Sequence, residues 1–306
     1  MKKRQFLTFT SAALLGALLS ANVKSANAAV SVVASTPELA AVTKAVGGAD
    51  VSVYSIAKPN QDYHSIEPRP SDVARIASAK MVVRSGLSLD GWMDSLMNAA
   101  GNGRLNRGGS GYVDASAGIP TIDKPAGSIT GASGDVHPQG NPHYLYDPVY
   151  AKFAARNIAK GLIAVDPTNA ADYRAGLSAF YKNIDAKMVG WNAQLAPYRG
   201  QSLVTYHLNY NYFLRRFGIR QYGTLEPVPG IAPSAAHLSQ LAAQMKRDKV
   251  NAILIEQIYP ARYADLLKRQ TGASYEVGPY SVTTQDANGY FNMINTLVAK
   301  TKAVLN

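Results

Sequence analysis

Short β-branched runs alternate with helical segments along nearly the whole chain, and this alternation restricts the fold more than any other feature. Residues 30–34 read as a strand, 37–46 as a helix stopped at Gly47-Gly48, and 51–56 as a second strand. A helix then runs from Pro70 to about Ala79 with Ser71 as its N-cap, followed by a buried strand over 81–84. The second half repeats the scheme: strands over 202–205, 219–222, 252–255 and 274–277, and helices over 208–217, 234–248 (Ser234 as N-cap), 262–272 and 286–305. Such alternation predicts an α/β fold with mainly parallel sheets covered by helices. No internal sequence repeat is apparent.

Between the halves lie helices over 149–164 and from Asn169 to about Leu195, opened by Asp147-Pro148 and Asp166-Pro167-Thr168. The second has no interrupting Pro, and at 1.5 Å per residue it reaches roughly 40 Å, enough to run the length of a two-lobed molecule. The predicted organisation is an N-terminal lobe over 29–167, a rigid connecting helix over 168–197 and a C-terminal lobe over 198–306. A helix over 90–100 points Trp92 and Met93 to the core. Residues 101–140, rich in Gly, Ser and Asn, read as a long mobile surface loop with two short extended pieces, 111–115 and 120–123. Gly101-Asn102-Gly103 follows a helix and lacks a third glycine, so it is no dinucleotide loop.

The first 28 residues read as a cleavable export signal: Lys2-Lys3-Arg4, an apolar stretch from Phe6 to Leu19 too short to span a bilayer, and small residues at Ala26-Asn27-Ala28. Lys3-Arg4-Gln5-Phe6-Leu7 faintly resembles a twin-arginine signal, leaving the export route open. The expected compartment is periplasmic or otherwise extracytoplasmic, and the mature chain is expected to be soluble and monomeric. The chain has no cysteine. That removes disulfides, thiolate ligands and a lipidated cysteine, and leaves histidine and carboxylate as the strong metal donors. Lys2, Lys3, Arg4 and Lys24 account for four of the +11 formal charges. The other basic residues are dispersed along helix-like segments, which reads as solvated helix faces rather than a nucleic-acid surface.

Three of the five histidines stand where an apolar or turn segment gives way to a helix: His64, His143 and His207. Three imidazoles and one further donor make the tetrahedral site that zinc prefers. The ligands are far apart in sequence, which argues against a zinc finger and for a site assembled between two halves of a larger fold. His64 falls in a strand-to-helix loop, where α/β folds collect ligands. A secreted zinc hydrolase is the alternative use of such a site, with Glu256 as its base if it is not a ligand. The His-Glu-x-x-His arrangement common in zinc proteases is absent.

Four motifs in order carry a family resemblance: His-Ser-Ile-Glu-Pro-Arg-Pro-Ser (64–71), Asn-Pro-His-Tyr-Leu-Tyr-Asp-Pro (141–148), Tyr-His-Leu-Asn-Tyr-Asn-Tyr-Phe-Leu-Arg-Arg-Phe-Gly (206–218) and Ile-Leu-Ile-Glu-Gln (253–257). Together they resemble the cluster A-I solute-binding proteins of the ZnuA/TroA type, the zinc and manganese receptors of ABC importers, over essentially the whole mature chain. The resemblance implies two α/β lobes on one rigid helix, a divalent metal in the cleft, and delivery to an ABC permease in the inner membrane. It places the first three ligands on His64, His143 and His207. Histidine rather than glutamate at the third position implies Zn2+ over Mn2+, in line with the donor preferences of the two ions.

Many relatives carry an aspartate in the region of Gly278-Pro-Tyr-Ser-Val, where this chain has no carboxylate. The fourth ligand is then Glu256 at its strand end, Asp286, or water, with Glu256 favoured and a supporting hydrogen bond its other role. Residues 225–234 resemble a proline-rich loop of one branch, a stiff entrance wall. Glu226 in it either orients a ligand histidine or faces the permease. Glu67 and Asp147 are further candidates to accept from ligand histidines. Six tyrosines, Tyr63, Tyr144, Tyr206, Tyr210, Tyr212 and Tyr259, flank the expected site. The 101–140 loop lacks the histidine- and acid-rich tract of many zinc relatives and holds only His137 and Asp135 as donors; His137 reads as an unliganded surface histidine, with a transient part in metal entry as its other role.

Overall fold

The computed structural model describes residues 28–127 and 134–306. The expected export signal, residues 1–28, lies outside the described residues apart from Ala28. Eight strands form two four-stranded sheets. β1 (Val30–Ala34), β2 (Val51–Ser55), β3 (Met81–Arg84) and β4 (Tyr112–Asp114) line up in the order β2-β1-β3-β4. β5 (Ser202–Thr205), β6 (Arg220–Thr224), β7 (Ala252–Glu256) and β8 (Ser274–Gly278) follow the same pattern as β6-β5-β7-β8. Every pairing is parallel. The two halves thus share one topology although no repeat marks it in the sequence. Central strands explain the continuous apolar runs: all four residues of β3 and all five of β7 are buried, as expected of strands covered on both faces.

Helices α1 (Pro37–Gly47), α2 (Pro70–Ser78), α3 (Met93–Ala100), α4 (Pro148–Val165) and α5 (Ala170–Leu195) are followed by α6 (Asn211–Phe217), α7 (Ala235–Arg247), α8 (Arg262–Thr271) and α9 (Gly289–Leu305). The predicted caps at Asp147 and Ser234 are present, accepting from Val149 and His237. The predicted cap at Ser71 is not. Asp72 reaches back to the backbone N–H of Arg69 at 3.1 Å, so α2 starts at Pro70, whose missing N–H costs nothing at that position. The third helix begins at Met93 rather than Asp90, because the buried Asp90 carboxylate accepts from Ser85 N at 2.6 Å and pairs with Arg84, holding the preceding residues as a turn. Met93 is buried, and Trp92, partly buried, packs against the same core and donates to the Tyr63 carbonyl. The extended piece expected over 111–115 is a strand: β4 pairs with β3 through Val82–Tyr112 and Val83–Val113.

The 26 residues of α5 carry only a narrow buried stripe, Tyr173, Phe180, Ile184, Trp191 and Leu195. That stripe packs against α1 and α4 at one end and α9 at the other, and Trp191 Nε1 donates to Asn295 at 2.8 Å. A second tie between the halves is the segment after β8. Tyr280 accepts from Tyr63 N at 3.0 Å through its hydroxyl, and its carbonyl accepts from the Tyr146 hydroxyl. Asn60 N donates to Ser281 Oγ, and Val282 N to Glu38, each at 3.1 Å. The carboxyl ends of both sheets consequently face one cleft.

Candidate metal centre

Each of the three predicted histidines is set by a polar residue two positions earlier. In Asp62-Tyr63-His64 the Asp62 carboxylate accepts from the His64 backbone N–H at 3.0 Å, and in Asn141-Pro142-His143 the Asn141 side-chain oxygen accepts from His143 N at 2.9 Å. Both are Asx turns, in which a short side chain replaces a backbone acceptor. In Thr205-Tyr206-His207 the Thr205 hydroxyl donates to the His207 carbonyl at 2.6 Å. His207 also follows β5, one of the two central strands beside which the order of its sheet reverses, the usual location of a ligand crevice.

The structure brings His64, His143 and His207 together. One nitrogen from each lies within 4.8 Å of the other two, the one group of potential metal donors of this kind among the described residues. Their ring centroids form a nearly equilateral triangle, 5.3 Å from His64 to His143 and 5.4 Å for the other two sides. All three side chains are largely shielded from water. Nε2 of His64 and Nε2 of His143 are buried without a hydrogen-bond partner among the described residues. Burial of unbonded polar atoms is costly and rare, so two of them aimed at one another's neighbourhood call for a missing partner.

The remaining ring nitrogens are held. Asp62 Oδ1 is 2.8 Å from His64 Nδ1, and Glu226 Oε2 is 2.8 Å from His207 Nδ1. A carboxylate can only accept, so each Nδ1 carries the proton and each Nε2 presents a lone pair. Burial would raise Asp62, but the hydrogen bond and charge of His64 outweigh it and hold the carboxyl low. Burial also pushes His143 well below the usual imidazole range, and the neighbouring imidazoles add to this, so it stays neutral and able to bind a cation. Asp62 was not among the predicted site residues, although its position two residues ahead of a histidine is itself a turn signal.

Glu256 stands apart from this group. It ends β7, fully buried, with burial pushing its carboxyl well above the usual range against a partial pull from the backbone N–H groups of Glu256, His207 and Tyr206. Its oxygens are not within the group of mutually close donors formed by the three rings, and neither has a hydrogen-bond partner among the described residues. Asp286 is exposed and accepts from Asn288 N at the approach to α9. Asp147 is committed to the α4 cap and to Arg216, and Glu67 is exposed. Of the tyrosines, Tyr259 comes nearest the imidazoles, 6.2 Å from His207 and stacked on Tyr206 at 4.1 Å.

His137 is not the free surface residue that the sequence predicts. Its ring centroid lies 5.3 Å from that of His64 and 6.5 Å from that of His143, and Nε2 is buried without a partner among the described residues. The fifth histidine, His237, is structural and bonds the Thr224 carbonyl at 3.0 Å.

Residues 32–303 match the family described as zinc-uptake complex component A, periplasmic. The high-affinity zinc uptake system protein ZnuA of Bacillus subtilis (strain 168) is 25% identical over 239 residues, covering 77% of this chain and 72% of that protein. A manganese ABC transporter substrate-binding lipoprotein, scaA of Streptococcus gordonii, is 23% identical over 308 residues, 96% of each chain. Among solved structures, a ZnuA crystal structure superposes with a TM-score of 0.75 at 23% identity, covering 91% of this chain and all of the other.

Proposed function

Because this chain belongs to the family of periplasmic zinc-uptake components, the metal-binding receptors of ABC importers, we propose that it captures Zn2+ with His64, His143 and His207 and hands it to a membrane permease. The family is one of transport receptors, not enzymes, which removes the hydrolase alternative. The observation that carries the zinc reading is the donor set. Three mutually close imidazoles, two with buried and unbonded Nε2 atoms, suit a borderline cation, whereas manganese prefers harder oxygen donors. The relatives include a manganese receptor as well as a zinc receptor, so membership alone does not choose the ion.

In this reading the protein works as a monomer outside the cytoplasmic membrane. The N-terminal lobe (29–167) contributes His64 and His143, the C-terminal lobe (198–306) contributes His207, and the helix over 168–197 keeps the lobes at a fixed separation. Small adjustments of the cleft then suffice for capture and release. Glu226 and Asp62 orient two of the rings. Calorimetric titration of the metal-free mature protein with zinc and with manganese tests the proposal. The expected result is one tight zinc site, far weaker manganese binding, and loss of the zinc site in His64→Ala and His207→Ala. Undiminished zinc binding in both variants would move the site elsewhere.

A further inference from the structure

Three imidazoles leave a tetrahedral ion one donor short, and Glu256, like His137, lies outside the group in which every donor is within 4.8 Å of the others. Resting on the reading of this cluster as the cargo site, we propose that Nε2 of His137 supplies the fourth donor, so that Zn2+ is held by four imidazoles and no carboxylate.

The placement of His137 carries this. Its centroid distance to His64, 5.3 Å, equals the His64–His143 spacing. The Leu87 carbonyl accepts a hydrogen bond from the ring. Since Nε2 is the nitrogen without a partner, Nδ1 makes that bond and Nε2 carries the lone pair. This is the arrangement seen at His64 and His207, with a backbone carbonyl in place of a carboxylate. His137, His143 and His207 also line a single cavity of about 250 Å³. Nε2 of His137 is not yet within 4.8 Å of all three partners, so a modest approach of the segment completes the shell.

Residues 134–140 are held from both sides in a way that aims the ring. On one side the turn after β3 has three consecutive residues at positive φ, Gly86 (74°), Leu87 (50°) and Ser88 (65°). Two of these are not glycine, and such backbone persists where surrounding contacts demand it. The turn presents the Leu87 carbonyl to His137, and Ser88 Oγ donates to Gln139 at 3.4 Å. On the other side Asp135 N donates to the Pro229 carbonyl at 2.9 Å, and the Asp135 carboxylate sits against Gly230, where a Cβ would come within 2.2 Å of it. Gly230 N in turn donates at 3.2 Å to Glu226 Oε2, the atom that accepts from Nδ1 of His207. The segment thus joins the N-terminal turn to the C-terminal loop directly over the cluster. Four neutral nitrogen donors leave the charge of the ion to Asp62 and Glu226 one bond further out, and they disfavour manganese more strongly than a site with a carboxylate would.

X-ray absorption at the zinc edge of the full mature chain, loaded with one equivalent of Zn2+, counts the imidazoles. Four in the wild type and three plus an oxygen in His137→Ala are expected, with zinc affinity lowered roughly 10- to 100-fold in competition with a chelating dye. Three imidazoles in the wild-type protein overturn the proposal, whatever the variant does, and so does an unchanged count in His137→Ala. Failure of the underlying site reads differently: the same zinc spectrum and affinity would survive in His64→Ala and His207→Ala.

Discussion

Oε2 of Glu226 lies 2.8 Å from Nδ1 of His207, both side chains being almost fully buried. The pair fixes the tautomer of His207 and turns its Nε2 toward His64 and His143. Glu226→Ala should therefore lower zinc affinity roughly 10- to 100-fold, the usual cost of losing such a partner. Asp62→Ala should cost less, because the Asp62 side chain is 37% exposed and water can replace it. Competition titration with a chelating dye measures both, and equal affinity in wild type and Glu226→Ala would contradict the orienting role.

Glu256→Gln is expected to leave zinc affinity within a few-fold of wild type. Burial already favours the neutral acid, and the amide has the same shape and no charge, so a side chain that does not bind the ion loses little. A ligand carboxylate would behave otherwise, losing its charge and its bond to the ion together. A drop in affinity beyond about tenfold would restore Glu256 to the coordination shell.

These two residues mark where sequence reasoning succeeded and where it stopped. The strands were legible because buried parallel strands are short apolar runs, as β3 and β7 are. The three histidines were legible from their placement at strand or turn ends. The strand end at Glu256 told that its Cα lies near the carboxyl edge of the sheet but not how far its oxygens stand from the three rings, since that depends on the packing of β7 against its neighbours. Asp62, Asn141 and Thr205 did carry a local signal, a polar side chain two residues before each histidine. The placement of His137 was not legible: it follows from the contact of its ring with Leu87, 50 residues earlier, and of its neighbour Asp135 with Pro229, more than 90 later. Ser71 failed as a cap because Asp72 competes for the same turn.

Gly176→Ala tests how closely α5 must approach the N-terminal half. A Cβ at Gly176 would lie 2.1 Å from the Val46 carbonyl oxygen at the end of α1, a backbone atom that cannot swing aside. Alanine normally favours helix over glycine, so propensity predicts a gain here and packing predicts a loss. The overpacking cost of about 1–3 kcal/mol is the larger effect, and chemical denaturation should show net destabilisation. A stabilised variant would mean that α1 and α5 can separate freely.

Glu38 supplies a pH dependence that is separate from metal binding. Its carboxylate accepts from the Tyr63 hydroxyl at 2.9 Å and from Val282 N at 3.1 Å, linking α1 to the segment after β8. Burial raises its pKa to about 7 from a model-compound value of 4.5, against smaller opposing hydrogen bonds. The folded state therefore holds this proton over a range in which the unfolded chain has released it. The contribution to stability is fully present below pH 4.5 and is lost as pH rises toward 7, by up to about 3 kcal/mol. Glu38→Gln keeps an acceptor for both donors and removes the titration. The metal-free variant should gain on wild type in denaturation midpoint between pH 5 and pH 8, and parallel pH profiles for the two proteins would show that Glu38 remains ionised in the fold.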